Sequence, residues 1–417
     1  MALTNIGFQK TPARPTEITF GANTNLPNPN QTLGLIGHMG PTGGTAVSGV
    51  ASGSAVPYSV VPMSNVADPV AGATEANAKF GEGSELAKMF IAAIQANFAI
   101  GASNFPMITC VPLAQDDADF GPLNVAGVQK GLAAADKFEC EFLVSPYDGA
   151  IDPSVVNNPL TNALIQQSQA MSGATRVQNG QYGTVAIAAN QSVTDPSTLP
   201  KYDSQYFSGE WFRDSGVPEY SLGEQAAAYA AILGAVAIPF NPVDNNVIGG
   251  VDAPVNMDDW ITVGAGLESE AALNRGWVPI RVLPNGNVAI VRSVTSRLTN
   301  GDGITQVLSY YDVQDFQVLY FFRKAIVARF NQTDFTNQKA SAAEATLARN
   351  EIIRLASAFE DQNMFQAVEQ LAPQIKVERN AVDRSRFDVF VPVNVVPGLH
   401  IIATNVQATT EFDVLTV

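Results

Sequence analysis

From Leu33 to about Ala237 the chain alternates between short apolar runs and longer segments with helical spacing, and this pattern limits its possible folds more than any other feature. Leu33-Gly34-Leu35-Ile36-Gly37 suits a buried strand. Ser84 is placed to cap a helix whose apolar positions Leu86, Met89, Phe90, Ala93, Ile94 and Phe98 recur at three-and-four spacing, so they share one face. Strands are then expected over 105–113, 139–145 and 184–189, and helices over 125–135, 161–171 and 222–237. Strand followed by helix, several times over, implies a mainly parallel sheet covered by helices on both faces.

Past Pro239 the pattern changes, and Pro242, Gly249, Gly250 and Pro254 mark a boundary. Two strands, 277–283 and 287–294, flank Pro284-Asn285-Gly286, where Asn-Gly supplies the positive φ angles of a tight hairpin turn. Asp312 is expected to cap a helix to about Phe330 that buries Val313, Phe316, Leu319, Phe322, Ile326 and Phe330 and carries Arg323, Lys324 and Arg329 near its carboxyl end. Helices over 341–359 and 364–371 and strands over 386–395 and 400–410 complete this part. The expected class is α/β and α+β: a 33–245 α/β domain, then a 246–397 mixed domain with a β-hairpin and long helices. Residues 1–32 and 398–417 form extended arms. A chain of 417 residues is too long for one compact core, which agrees with two units between arms.

The arms carry their own signal. Pro12, Pro15, Pro27 and Pro29 keep the first from becoming helical. Only Glu17-Ile18-Thr19-Phe20 reads there as a strand, and so short a strand needs a host sheet. His400, Ile401, Ile402, Ala403, Thr404 and Asn405 offer matching strand material at the other end. A globule of this length has a radius of gyration of roughly 22 Å, while about 20 extended residues span up to roughly 65 Å. Either arm can therefore reach an adjoining subunit.

Charge narrows the possible partners. Only 15% of residues are charged, and the net charge is −16, so binding a phosphate backbone is disfavoured and nucleic acid is not expected as a direct partner. The deficit is uneven: residues 312–386 hold ten basic and ten acidic residues, which leaves this stretch the least acidic. No apolar run is long enough to span a membrane and no export signal opens the chain, so a soluble protein made in the cytoplasm is expected. Cys110 and Cys140 lie in apolar runs and read as buried thiols.

Catalytic chemistry is sparse. His38 and His400 lack nearby ligand partners in sequence, and neither a Gly-x-Ser-x-Gly elbow nor a Walker loop occurs. Gly34, Gly37 and Gly40 miss the dinucleotide spacing, and Gly81-Glu82-Gly83-Ser84 sets an acid where a phosphate would sit; turn and cap explain both. Asp116-Asp117-Ala118-Asp119 and Asn300-Gly301-Asp302-Gly303 fail the calcium-loop template and read as a solvated acidic loop and a turn. No catalytic residue, cofactor or metal is expected. Two other readings stay open: a nucleotide- or sugar-binding enzyme on the α/β sheet, and a capsid or baseplate component.

Three stretches taken together, Phe80-Gly81-Glu82-Gly83-Ser84-Glu85-Leu86, Ser145-Pro146-Tyr147-Asp148 and LNRGWVPIRVLPNGNVAIVRSVTS from Leu273 to Ser296, resemble the tail sheath proteins of contractile bacteriophages, in particular their Mu-like branch. Asp312-Val313-Gln314-Asp315-Phe316 after the hairpin is the most specific part of the likeness. The resemblance implies a virion structural protein assembled in the host cytoplasm as sixfold rings stacked helically around a tail tube, with baseplate and tail terminator as further partners and no membrane. It also implies N- and C-terminal strands donated to neighbouring subunits, which falls on Glu17–Phe20 and His400–Asn405. The 33–245 domain would face outward and the 246–397 domain the tube, with Lys339, Arg349 and Arg354 on the 341–359 helix as the tube contact.

Overall fold

A computed structural model describes residues 31–41, 51–102, 105–114, 125–146, 159–171, 184–190, 194–213, 219–237, 240–244, 246–249, 268–299, 311–331, 339–382 and 384–399. The two arm segments expected to be strands, Glu17–Phe20 and His400–Asn405, lie outside them, as do the acidic loop expected at Asp116–Asp119 and the turn expected at Asn300–Gly303.

The helices are α1 (Pro69–Phe80), α2 (Glu85–Ala99), α3 (Val125–Ala135), α4 (Pro159–Met171), α5 (Leu222–Ala235), α6 (Glu268–Leu273), α7 (Val313–Phe330), α8 (Ala342–Asp361) and α9 (Val368–Leu371). The strands are β1 (Thr32–His38), β2 (Val61–Pro62), β3 (Met107–Leu113), β4 (Phe142–Val144), β5 (Val185–Asn190), β6 (Phe207–Trp211), β7 (Trp277–Val282), β8 (Val288–Ile290), β9 (Lys376–Arg379) and β10 (Phe387–Phe390). The first eight strands make one sheet in the order β2-β3-β1-β4-β5-β6-β7-β8, parallel from β3 to β7 with an antiparallel strand at each edge.

The period of two sorts the strand side chains cleanly. Leu33, Leu35, Ile108, Cys110, Phe142, Val144, Val185 and Ile187 face α1, α2, α5 and the start of α7. Ile36, Val111, Leu113, Leu143, Ala186 and Ala188 face the opposite layer, which includes Leu132 of α3 and Leu164 of α4. Cys110 and Cys140 are buried free thiols on opposite faces of the sheet. The glycines of β1 have a packing role: a Cβ on Gly37 would lie 2.9 Å from the Met89 sulfur, and one on Gly34 would lie 3.0 Å from the Phe138 ring. At Gly81, φ is +92° and a Cβ would lie 2.1 Å from the Ala51 carbonyl oxygen, so the Gly81–Ser84 segment is the turn joining α1 to α2.

The hairpin forms where its turn residues place it, with Ile280 opposite Ile290. Of the Asn-Gly pair only Gly286 has positive φ, and Leu283 pairs with Asn287 around a three-residue loop. The hairpin was expected to belong to the second unit. It instead continues the main sheet, because β7 pairs in parallel with β6 through Gly209 opposite Trp277. Nothing in the local sequence of a hairpin records which strand its outer edge will meet.

Helix α7 joins this layer structure to a second core. Val313, Phe316 and Tyr320 pack toward the sheet. Val318, Phe321, Phe322 and Ala325 pack with Ile352, Leu355 and Phe359 of α8, and with Phe365 and Val368. Four rings, Phe321, Phe322, Phe359 and Phe365, stack edge to face or offset with centroids 4.9–5.4 Å apart. Asp312 occupies the N-cap position of α7, yet its carboxylate makes no cap hydrogen bond. It receives two from Arg292 instead, Nε to Oδ1 and Nη2 to Oδ2, both at 2.9 Å. The cap residue thus ties α7 to the strand segment after β8. Because the pair is partly buried and bidentate, Asp312→Asn is expected to lower the unfolding free energy by about 2 kcal/mol, read from urea denaturation; a loss under about 0.5 kcal/mol would make the pair dispensable.

Candidate assembly surfaces

The C-terminal module carries an under-supported sheet. β9 and β10 pair antiparallel, from Phe387 opposite Arg379 to Phe390 opposite Lys376, and no further strand joins them among the described residues. Val377 leans on the second core, and Val391, Val393 and Val395 of the following segment do the same. Val389 is 44% and Phe390 60% exposed. Two isolated strands are marginal in water, and their outer edges present main-chain donors and acceptors to whatever strand arrives. This sheet is fixed at its root: Arg349 of α8 donates from Nε to the Ile375 carbonyl at 2.8 Å and from Nη2 to the Ala372 carbonyl at 2.7 Å.

The three residues expected at the tube contact are therefore placed differently from one another. Lys339 is exposed just ahead of the Ser341 cap, whose hydroxyl accepts from the Glu344 amide at 3.2 Å. Arg349 holds β9, and Arg354 pairs with Glu351 on its own helix at 2.5 Å. Glu351 also meets Arg329 of α7 at 2.6 Å. Burial alone would raise the Glu351 carboxyl, but hydrogen bonds from Arg354 and Arg329 hold it below the ordinary value. Two of the three guanidinium-or-ammonium groups thus serve the fold, and the bonds of Arg349 to the Ile375 and Ala372 carbonyls are a partnership that sequence spacing does not reveal.

The rival enzymatic reading meets little supporting geometry. His38 pairs with Glu85, Nδ1 to Oε2 at 2.5 Å, beside the turn that starts α2. Among the described residues no cluster of three or more His, Cys, Asp or Glu could hold a metal ion, and no helix is long and apolar enough to cross a membrane. A buried hydroxyl cluster does exist: Tyr229 bonds Ser293 at 2.7 Å and Ser208 at 3.0 Å, and Ser208 donates to the Val294 carbonyl at 2.7 Å. It pins β6 and α5 to the segment leading toward α7. One position along from Trp211, Glu210 is fully buried with neither carboxylate oxygen hydrogen-bonded. Burial raises its carboxyl well above the ordinary value, so it stays protonated where other glutamates ionise.

That shift has a sign. The folded chain holds the Glu210 proton to higher pH than the unfolded chain, so stability contributed by this site is greatest below the ordinary glutamate value and declines as pH rises above it. The decline reaches at most about 1.4 kcal/mol per pH unit. Glu210→Gln is expected to flatten the fall in urea midpoint between pH 5 and 9; an unchanged slope in the variant would show that other groups cause it.

No sequence family model matches the chain, and no curated protein matches it by sequence. Solved structures do match. The chain resembles a sheath tail protein from Listeria innocua (TM-score 0.60, 9% identity, covering 89% of this chain and 93% of that one). It resembles a sheath tail protein from Desulfitobacterium hafniense in the same way (0.58, 9%, covering 92% and 97%). The third is the helical sheath of an anti-feeding prophage in its contracted state (0.56, 13%, covering 92% and 95%). This chain has the fold of contractile tail sheath proteins along most of its length.

Proposed function

We propose that the chain is the structural subunit of a contractile tail sheath, polymerising as stacked sixfold rings around a tail tube. The observation that carries this reading is a shared fold covering about nine-tenths of both chains, one of them a helical sheath. Baseplate and terminator would bound the assembly at its ends, and the completed particle would be part of a virion tail. The subunit would act without catalysis or a bound cofactor.

Strand exchange supplies the connections. The 17–20 segment of one neighbour and the 400–405 segment of another would add to the two edges of the β9–β10 sheet, and the exposed Val389 and Phe390 would be covered in the process. Each main-chain hydrogen bond contributes about 0.5–1.5 kcal/mol, so several per strand, with two arms per subunit, hold a lattice together without large rigid interfaces. The bodies would then be free to change their mutual packing while the strands persist. Assembly in an extended, kinetically trapped arrangement and release into a more compact one of lower free energy would drive the tube forward with no nucleotide consumed.

In this arrangement the C-terminal module would face the tube, with exposed Lys339 as the candidate cation left over by the bonds of Arg349 and Arg354, and the sheet body, residues 33–245 extended by the 277–290 hairpin, would point outward. Deleting residues 1–25 or 400–417 is expected to leave a folded, soluble monomer that forms no tubes by negative-stain electron microscopy. Normal tubes from either truncation would contradict strand exchange. Phe390→Asp, placed on the exposed side of the acceptor sheet, is expected to leave thermal stability within a few degrees and to weaken assembly at least tenfold in critical concentration, consistent with a surface change that matters only on binding.

A further inference from the structure

Where the N-terminal segment enters the body, it meets a polar junction made by three separate parts of the chain. The Glu141 carboxylate, 8% exposed, accepts the Thr32 amide on Oε2 at 2.6 Å and pairs through Oε1 with Lys324 of α7 at 3.2 Å. The Glu141 amide returns to the Thr32 carbonyl at 2.9 Å, closing a two-way bond between β1 and the residue before β4. One residue earlier, buried Gln31 accepts from Gln317 Nε2 at 2.9 Å, and the same nitrogen donates to the Leu233 carbonyl at the end of α5. Gln31 also accepts the Met107 amide on its main-chain oxygen at 2.8 Å.

Phe240 roofs this junction. It is a buried, bulky residue held at φ +61°, with its ring 5.4 Å from that of Phe321. A left-handed backbone at phenylalanine is strained and persists only where the surroundings fix it. Phe240 lines the space beside Gln31, Glu141, Gln317 and Lys324, and the junction itself is tied from β1, the residue before β4, the end of α5 and α7.

We propose that Glu141 is a positioning residue that clamps the root of the N-terminal segment to helix α7, so that load on a donated strand passes into the C-terminal module carrying the acceptor sheet; the mechanical part of this rests on the strand exchange proposed above. The route through the molecule is continuous. Lys324 and Arg329 lie on one helix, Arg329 meets Glu351 of α8, and Arg349 of α8 holds the start of β9. A neighbour pulling on residues 1–30 would act on α7 and the second core as well as on the sheet edge. Without the clamp the start of β1 would peel from the sheet first, and the pull would be lost as local fraying.

The test uses the full-length chain with Glu141→Gln, Lys324→Met and the conservative Lys324→Arg, and it has two readouts. In monomers, both disruptive variants are expected to speed hydrogen exchange at the Thr32 amide about tenfold while leaving β7 protection and far-UV circular dichroism unchanged, as loss of a charge-assisted hydrogen bond implies. Lys324→Arg should restore protection to within about threefold of the original chain. In assembly, the disruptive variants should need about tenfold more protein to form tubes, a change the same size as the lost protection. Unchanged exchange at Thr32 in both variants overturns the clamp, and raised exchange with an unaltered critical concentration overturns its mechanical role. An original chain that forms no tubes would defeat the sheath reading, while the monomer exchange would still decide the clamp.

Discussion

Helix α7 has two apolar faces and fills both, and everything else in the molecule is arranged around that. Val313, Phe316 and Tyr320 close the core over the parallel sheet, while Phe321, Phe322 and Ala325 found a second core with α8. A helix whose apolar residues spread beyond one stripe must bury them on more than one side, and here the two sides belong to different cores. Its ends add directional bonds: Asp312 to Arg292 at the start, and Arg329 to Glu351 near the finish. The C-terminal module consequently has no loose linker to the sheet body among the described residues, and a displacement of one must move the other.

That coupling would suit the proposed sheath subunit, whose contacts would have to survive a large change of packing. The most weakly supported surface among the described residues is the two-stranded β9–β10 sheet, which has open edges, is fastened at its root by Arg349 and rests on the second core through Val377. A strand added to such an edge brings main-chain hydrogen bonds that are indifferent to side-chain identity. The likeness in fold to tail sheaths at 9–13% identity shows that a fold kept by burial patterns persists while sequence drifts.

Much of the fold was legible in the sequence because it is written locally. The apolar spacing of α2, the Ser84 cap, the 125–135 helix and the Asn285-Gly286 hairpin all form as their residues dictate. What escaped was non-local or disguised. β6 reads Phe-Ser-Gly-Glu-Trp, and its serine and glutamate suggest a solvent face, yet both are buried under α5. β9 reads Lys-Val-Glu-Arg and is polar because it is a half-exposed strand of an edge sheet. The Asp312 side chain looked like a helix cap and instead serves Arg292, a choice made by tertiary proximity. Of the expected assembly residues, the Arg354–Glu351 pair lies at local i,i+3 spacing on one helix, but the bonds of Arg349 to the Ile375 carbonyl and of Arg329 to Glu351 are not legible in the sequence, because those partners come together only when α7, α8 and the segment before β9 pack.

The account stands on chain ends that complete the sheets of other copies. Equal amounts of unlabelled and uniformly nitrogen-15-labelled protein, mixed as monomers, assembled and then chemically cross-linked, would test this directly by mass spectrometry. Strand exchange predicts that peptides from residues 400–417 and from 376–390 are joined across isotopes in about half of the cross-links, the statistical share for partners drawn at random from two equal pools. Cross-links confined to a single isotope would mean that each chain end returns to its own body, and the lattice would need another explanation.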